Sequence, residues 1–324
     1  MNQQQIEKKQ SLFNLCQAVI NNIEKVIVGK RCVSELLLAS LLAGGHILLD
    51  DVPGVGKTIL AHSLAKSVGG SFKRIQFTSD LLPADITGFN VYDRQSGQFK
   101  FQAGPVMSNI LLADEINRAI PRTQSSLLES MQEGQVTVDG STHKLPHPFM
   151  VIATQNPIEL EGTFPLPEAQ MDRFLFKLKV GYPTPGEELS ILELFQNNDP
   201  LKDLKAVISI DQVTEIQKAR QEIIVSKQVK EYIVNLVGAT REVPSLRLGA
   251  SPRASIHLMK AAQALAILRG RHYVLPDDIK SLSGPVLTHR LNVEITEKAR
   301  GITAERVIEE IVSTTTVPVS PEPE

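Results

Sequence analysis

The short apolar run Ile47-Leu48-Leu49 leads through two aspartates into Pro53-Gly54-Val55-Gly56-Lys57-Thr58 and then into a helical pattern. Few local features restrict a fold so tightly. The apolar run, bounded by turn-formers, reads as a buried parallel strand. Ile59, Leu60, Leu64 and Val68 share one helix face, and Gly69-Gly70 stops the helix. Strand, glycine loop, Lys-Thr and helix, in that order, describe a phosphate-binding loop. Gly54 and Gly56 permit the positive φ that turns backbone N–H groups onto phosphate oxygens. The helix N-terminus adds unpaired donors and partial positive charge. Lys57 is expected on the β- and γ-phosphates, and the Thr58 hydroxyl on Mg2+. Asp51 stands where the general pattern has glycine, so only its second half is met. The stretch points to a nucleotide site; the plainer alternative is a glycine turn with an incidental lysine.

A second run, Asn109-Ile110-Leu111-Leu112-Ala113-Asp114-Glu115, reads as a central strand delivering two carboxylates at its C-terminal end. In open α/β sheets ligands bind at that edge. Asp114 is expected to hold Mg2+, through water, and Glu115 to orient and deprotonate an attacking water. Many strands end in solvated acids, so this pattern gains its weight from the phosphate loop upstream. Phe149 to Thr154 reads as another buried strand, after which Asn156 offers an amide to a γ-phosphate or its attacking water; Asn156-Pro157 also suits an ordinary turn.

With 324 residues the chain is long enough for about two domains. Helical spacing is expected over about residues 4 to 26 and again through Leu36 to Leu42. Phe72 to Phe77 alternates like a strand, and Ser96-Gly97 between Asn90 and Phe101 suggests a hairpin or else a surface loop. A helix from Arg122 to Glu133 closes at Gly134, and Asp139-Gly140 marks a hairpin turn. The last strand is expected over Phe174 to Val180, and Gly181 to Gly186 is the best domain boundary. Beyond it the pattern is helical. Ser251-Pro252-Arg253 supplies an N-cap, a first-turn proline and an arginine that opposes the helix dipole unless an anion faces it. Arg253 is therefore a phosphate-ligand candidate, or an exposed arginine of no consequence. The expected division is an N-terminal helix at 1–25, a nucleotide-binding core at 26–184, a helical lid at 185–313 and a disordered tail at 314–324.

A net charge of −2 gives no global basic field to attract nucleic acid or acidic membranes. Cys16 and Cys32 lack metal-ligand spacing and are expected to be packed, reduced thiols of a cytoplasmic protein. The N-terminus has no signal-peptide core, and the longest apolar patch, Leu36 to Ala43, is too short for membrane insertion.

Several motifs agree in order and spacing, and together the chain resembles the MoxR family of AAA+ ATPases. The stretches are D-V-P-G-V-G-K-T, Q-F-T-S-D-L-L-P-A-D-I-T-G, L-L-A-D-E-I-N-R-A, V-I-A-T-Q-N-P-I-E, L-P-E-A-Q-M-D-R-F-L and G-A-S-P-R-A, within roughly residues 26 to 290. Members of the family carry an acidic residue where Asp51 stands. Ile120 and Ser130 depart from the small, Pro or Ala residues expected there. The resemblance implies an α/β fold, an AAA+ αβα core with a five-stranded parallel sheet, followed by a C-terminal all-α lid domain. ATP and Mg2+ would lie between core and lid. The hairpins within about Asn90 to Phe101 and Gln135 to Leu145 would face a central pore or a client.

The same resemblance assigns roles. Glu115, Asn156 and Arg173 would be catalytic, Asn156 as first sensor and Arg173 as arginine finger. The nucleotide would be bound by Val28, Gly29, Pro53, Gly54, Val55, Gly56, Lys57, Thr58, Ile59, Asp114 and Arg253, with Thr58 and Asp114 on the metal. Ile27 to Gly29 would pack on adenine, a role also compatible with an ordinary turn, and Arg253 would be the second sensor. The implied protein is a homo-oligomer, a hexameric ring, that remodels or matures a protein client, often with a von Willebrand factor A-domain partner. The alternatives are a nucleic-acid motor, which the near-neutral charge disfavours, the motor subunit of a metal chelatase, and a nucleotide-gated scaffold that never hydrolyses.

Overall fold

The apolar runs fold into a five-stranded parallel sheet whose two faces are both covered, which is why its central strands lack alternation. The protein is described here by a computed structural model covering residues 3–318, without 158–161 and 198. Ile158 and Glu159 of the quoted V-I-A-T-Q-N-P-I-E stretch therefore lie outside the described residues, as do residues 319–324 of the expected tail.

The chain opens with α1 (Gln3–Glu24) and α2 (Arg31–Ala43), then β1 (Ile47–Asp50), α3 (Lys57–Ser67) and β2 (Phe72–Gln76). A short α4 (Pro83–Thr87) precedes the antiparallel pair β3 (Gly88–Asp93) and β4 (Gln98–Ala103). Next come β5 (Ile110–Asp114), α5 (Pro121–Glu133), the hairpin β6 (Gln135–Val138) and β7 (Ser141–Lys144), and β8 (Met150–Gln155). The core ends with α6 (Glu168–Met171) and β9 (Phe176–Leu178). The rest is helical: α7 (Pro185–Phe195), α8 (Pro200–Asp203), α9 (Ile210–Arg220), α10 (Lys227–Glu242), α11 (Pro252–Leu268), α12 (Pro276–Leu287), α13 (Ile295–Ala299) and α14 (Ala304–Thr314). One small ladder, β10 (Leu246–Leu248) with β11 (Asn292–Val293), interrupts it.

Strand order is β2-β5-β8-β1-β9, all parallel. The period of two sorts the central strands between two apolar layers. Ile47, Leu49, Ile110, Leu112, Met150 and Ile152 point to the larger layer, which continues through α1 and α2 into the lid helices. Leu48, Leu111, Ala113, Val151 and Ala153 point to the other, with Leu127 and Leu128 of α5.

Helix α1 joins the core, since Cys16, Val19, Ile20 and Ile23 are buried and α1 packs on α2, α3 and α11. Three expectations need correction. Cys32 is exposed rather than packed, whereas burial pushes the Cys16 thiol up to about 12. The strand expected over Phe174 to Val180 is only three residues long, Phe176–Leu178. Order continues past residue 313, since α14 runs to Thr314 and Val317 packs on the larger core.

Asn90 to Phe101 is a hairpin, with Asp93 opposite Gln98 and a turn completed by Gly97 at φ 65°. It meets the second hairpin through Asn90 Nδ2, which donates to Asp139 Oδ2, and through the Phe101 ring stacked on His143. Among the described residues no helix is long and apolar enough to cross a membrane.

Candidate active site

The cleft forms at the C-terminal ends of β1, β5 and β8, where the chain leaves β1 for the far edge of the sheet. Such a switch in strand order opens a crevice. After β1 the backbone turns through Gly54 at φ 84° and Gly56 at φ 85° and enters α3 at Lys57. A Cβ at either glycine would meet nothing within 4 Å, but φ there strains any L residue, so the loop frames open space with its N–H groups. Lys57 Nζ donates to the Asp51 carbonyl at 2.6 Å, folded back along its own loop. That open cradle, an ammonium and a helix N-terminus form a donor set that fits a phosphate chain.

Asp51 has a role the residue pattern alone did not give. It is 8% exposed, and its carboxylate accepts from the backbone N–H of Val52 at 2.8 Å and of Gly181 at 2.6 Å. It thus ties the phosphate loop to the segment leaving the core.

At the end of β5, Asp114 Oδ1 accepts from Thr154 Oγ1 at 2.6 Å, and Oδ2 pairs with Arg74 Nη2 at 2.7 Å. Glu115 follows with φ 56° and ψ 51°, a left-handed conformation uncommon outside glycine. Its N–H donates to the same Thr154 hydroxyl at 2.8 Å. Its Oε2 accepts from Gln76 Nε2 at 2.7 Å and lies 3.1 Å from Arg118 Nε. Asn156, 6% exposed, follows β8 and reaches the same cleft.

These groups border a cleft of about 390 Å³ formed by Pro53, Gly54, Gly56, Lys57, Thr58, Ile59, Asp114, Glu115 and Asn156, together with Arg74 and Gln76. Arg74, Gln76 and Thr154 escaped sequence reasoning. Register brings Gln76 there, since it ends β2 directly beside Asp114, and no local pattern announces it.

Other expected residues stand elsewhere. Val55, expected on the nucleotide, lies in the loop between Gly54 and Gly56 and packs its half-buried side chain against the larger apolar core. Val28 and Gly29 lie between α1 and α2; Gly29 has φ 72°, and a Cβ on it would run into the Glu187 carboxylate at the start of α7. Arg173 follows the four-residue α6 and donates from Nη1 to the Leu128 carbonyl at 2.8 Å. It borders a separate cavity of about 290 Å³ against Ser125, Glu129 and Glu133 of α5. Arg253, in the first turn of α11, lies 3.6 Å from Asp172 Oδ2. Ser251, expected to cap that helix, gives its hydroxyl to Asp172 Oδ2 at 2.9 Å and makes no cap bond.

His46 steadies the sheet beneath the cleft. Its Nδ1 accepts from Val151 N–H at 3.0 Å, so Nε2 carries the proton toward the Met131 carbonyl at 3.1 Å. Burial pulls this imidazole down to about 4.

Comparison with known proteins gives the family. Residues 46–176 match the ATPase family associated with various cellular activities (AAA), and residues 238–311 match the AAA lid domain. The chain is 52% identical to the uncharacterized protein YeaC of Bacillus subtilis (strain 168), over 96% of this chain and 97% of that one. It is 43% identical to chaperone MoxR1 of Mycobacterium tuberculosis, over 93% of this chain and 82% of the relative. A crystal structure of a candidate ATPase from Cytophaga hutchinsonii superposes with TM-score 0.91 at 40% identity, covering 96% of this chain and 97% of its own. The chain belongs to the MoxR family of AAA+ ATPases.

Proposed function

We propose that this protein binds ATP with Mg2+ in the cleft between Lys57 and Asn156 and hydrolyses it as one subunit of a homo-oligomeric ring, driving chaperone-like remodelling of a protein client. One observation carries the reading. The phosphate loop, Asp114, Glu115 and Asn156 converge on a single cleft, while the Arg173 guanidinium is turned onto α5 beside another cavity. That separation is what a finger serving a neighbouring subunit requires.

The Glu115 carboxylate, steadied by Gln76 and Arg118, is suited to take a proton from water. The Asn156 amide would orient that water, and Lys57 would neutralise phosphoryl oxygens. Thr58 and Asp114 would hold the magnesium ion, which when bound adds positive charge against the phosphates. Arg253 is the second sensor of this proposal, Val28 and Gly29 its adenine-side segment, and residues 26–184 and 185–313 its core and lid. A closed ring of heterologous contacts supplies each cleft with a neighbour's arginine, and six subunits is the family expectation.

Two findings support a protein client. The relative MoxR1 is named a chaperone, and the hairpin β3–β4 carries exposed Phe89, Tyr92 and Phe99, apolar rings that a client could cover. A partner with a von Willebrand factor A domain and a cytoplasmic location belong to the same proposal. The test is Glu115→Gln in the full chain. ATP binding should persist while turnover falls by about 10²- to 10⁴-fold, the usual worth of a general base. Client held by this variant in ATP and identified after capture would then define the substrate. Turnover at the wild-type rate would remove Glu115 as base.

A further inference from the structure

The turn that carries Arg173 is held by the lid. Arg290 lies in the single turn Thr288–Arg290 after α12 and is only 6% exposed. Its Nε donates to Asp172 Oδ1 at 2.7 Å. Nη2 donates to the backbone carbonyls of Asp172 at 3.2 Å and Phe174 at 2.6 Å, and Nη1 to that of Leu175 at 3.4 Å. One guanidinium from the lid therefore grips the main chain on both sides of Arg173. The other oxygen of Asp172 is held by Ser251 and Arg253 at the start of α11, so both lid elements meet on one core carboxylate. Arg173 itself points away from this cluster, to the Leu128 carbonyl.

A buried ion pair is weak grounds for a purely stabilising role, since well-packed apolar residues often do as well. Apolar residues could not hold the carbonyls that bracket Arg173. Only a fork of several N–H donors does that. Position matters steeply here, because a misplacement of about 1 Å can lower a rate about 10²-fold.

We propose that Arg290 is a positioning residue for Arg173: by gripping Asp172 and the carbonyls around the arginine, it makes the reach of that guanidinium toward a neighbouring subunit follow the position of the lid. This inference rests on the reading of Arg173 as a finger acting across subunits. The lid that closes over one cleft would then set the arginine offered to the next.

Mixed rings test it. Finger-giving subunits carry Lys57→Ala and have no turnover of their own; finger-receiving subunits carry Arg173→Ala. ATP turnover in the mixture then arises where an intact Arg173 meets an intact cleft. Adding Arg290→Lys to the giving subunit should lower kcat by about 10- to 100-fold while the KM for ATP moves little, because the receiving cleft is untouched. The same substitution in the receiving subunit should lower kcat at least about ten-fold less. Melting midpoint and ring assembly are read first. If Arg290→Lys does not assemble, Asp172→Asn, which keeps an acceptor for Nε, is read in the same two arrangements. Equal losses in both arrangements, or none in the giving one, would overturn the proposal. No recovered turnover in verified mixed rings of the parent subunits would instead refute the trans reading of Arg173, and the proposal with it.

Discussion

Replacing Asp51 with alanine should loosen the joint between the phosphate loop and the segment leaving the core, and the structure allows the size of the effect to be worked out. The carboxylate is almost fully enclosed and accepts two N–H bonds, from Val52 at 2.8 Å and Gly181 at 2.6 Å. A hydrogen bond to a charged group contributes about 1.5–3 kcal/mol. The bond to the adjacent Val52 is local and is partly kept in the unfolded chain, so it counts for less. Asp51→Ala should therefore cost about 2–4 kcal/mol. At about 2 °C per kcal/mol, the low end for long chains, the melting midpoint falls by roughly 4–8 °C. Asp51→Asn keeps an acceptor for Gly181 and should fall by roughly half as much. The main-chain carbonyl of Asp51 that accepts from Lys57 survives the substitution, but without the carboxylate tie to Gly181 the loop is held less firmly, so the extra stabilisation by MgATP should shrink, by about 1.4 kcal/mol for each ten-fold loss of affinity. Thermal unfolding with and without MgATP measures both quantities. An alanine variant melting with the wild type, or an asparagine variant melting below the alanine one, would refute this assignment.

Two further outcomes follow from the site. Arg74 shares Asp114 Oδ2, the carboxylate proposed for magnesium, and an exposed pair of this kind is worth about 0–1 kcal/mol. Arg74→Ala should thus lower the Mg2+ concentration for half-maximal turnover by up to about five-fold, and a raised requirement would contradict it. His46 is buried neutral with its pKa near 4, below the ordinary value of about 6.5, so its contribution is complete above pH 6.5 and is lost as pH falls toward 4. The loss reaches about 3 kcal/mol at the lower end, and His46→Asn should flatten unfolding free energy against pH across that window. Superimposable slopes for wild type and variant would count against it.

Much of this site could be read from local physics. The loop at Gly54 and Gly56, the runs that become β5 and β8, and the Asp139-Gly140 turn declare themselves because strand burial, helix start and turn chemistry act over a few residues. Where the reading fell short, the missing information was tertiary. Arg74 and Gln76 reach Asp114 and Glu115 only through the parallel register of β2 with β5. Val55 packs its side chain against the larger core, which no spacing reveals. Ser251 had the right chemistry for a helix cap, yet a carboxylate from another domain takes its hydroxyl. β10 and β11 are too short to show alternation, and nothing local in α1 reveals that it packs on the distant α11 as well as on α2 and α3.

The central claim is that ATP held in one subunit's cleft is cleaved only when a neighbour presents Arg173. It is tested most directly by measuring ATP binding and turnover per subunit against protein concentration, with mass read at each point. Binding in the presence of Mg2+ should already occur in the single subunit, and turnover should climb steeply as rings assemble, by up to the about 10³- to 10⁵-fold that an arginine finger contributes. Brisk turnover by a verified single subunit, or no affinity for ATP with Mg2+ at any concentration, would contradict the account.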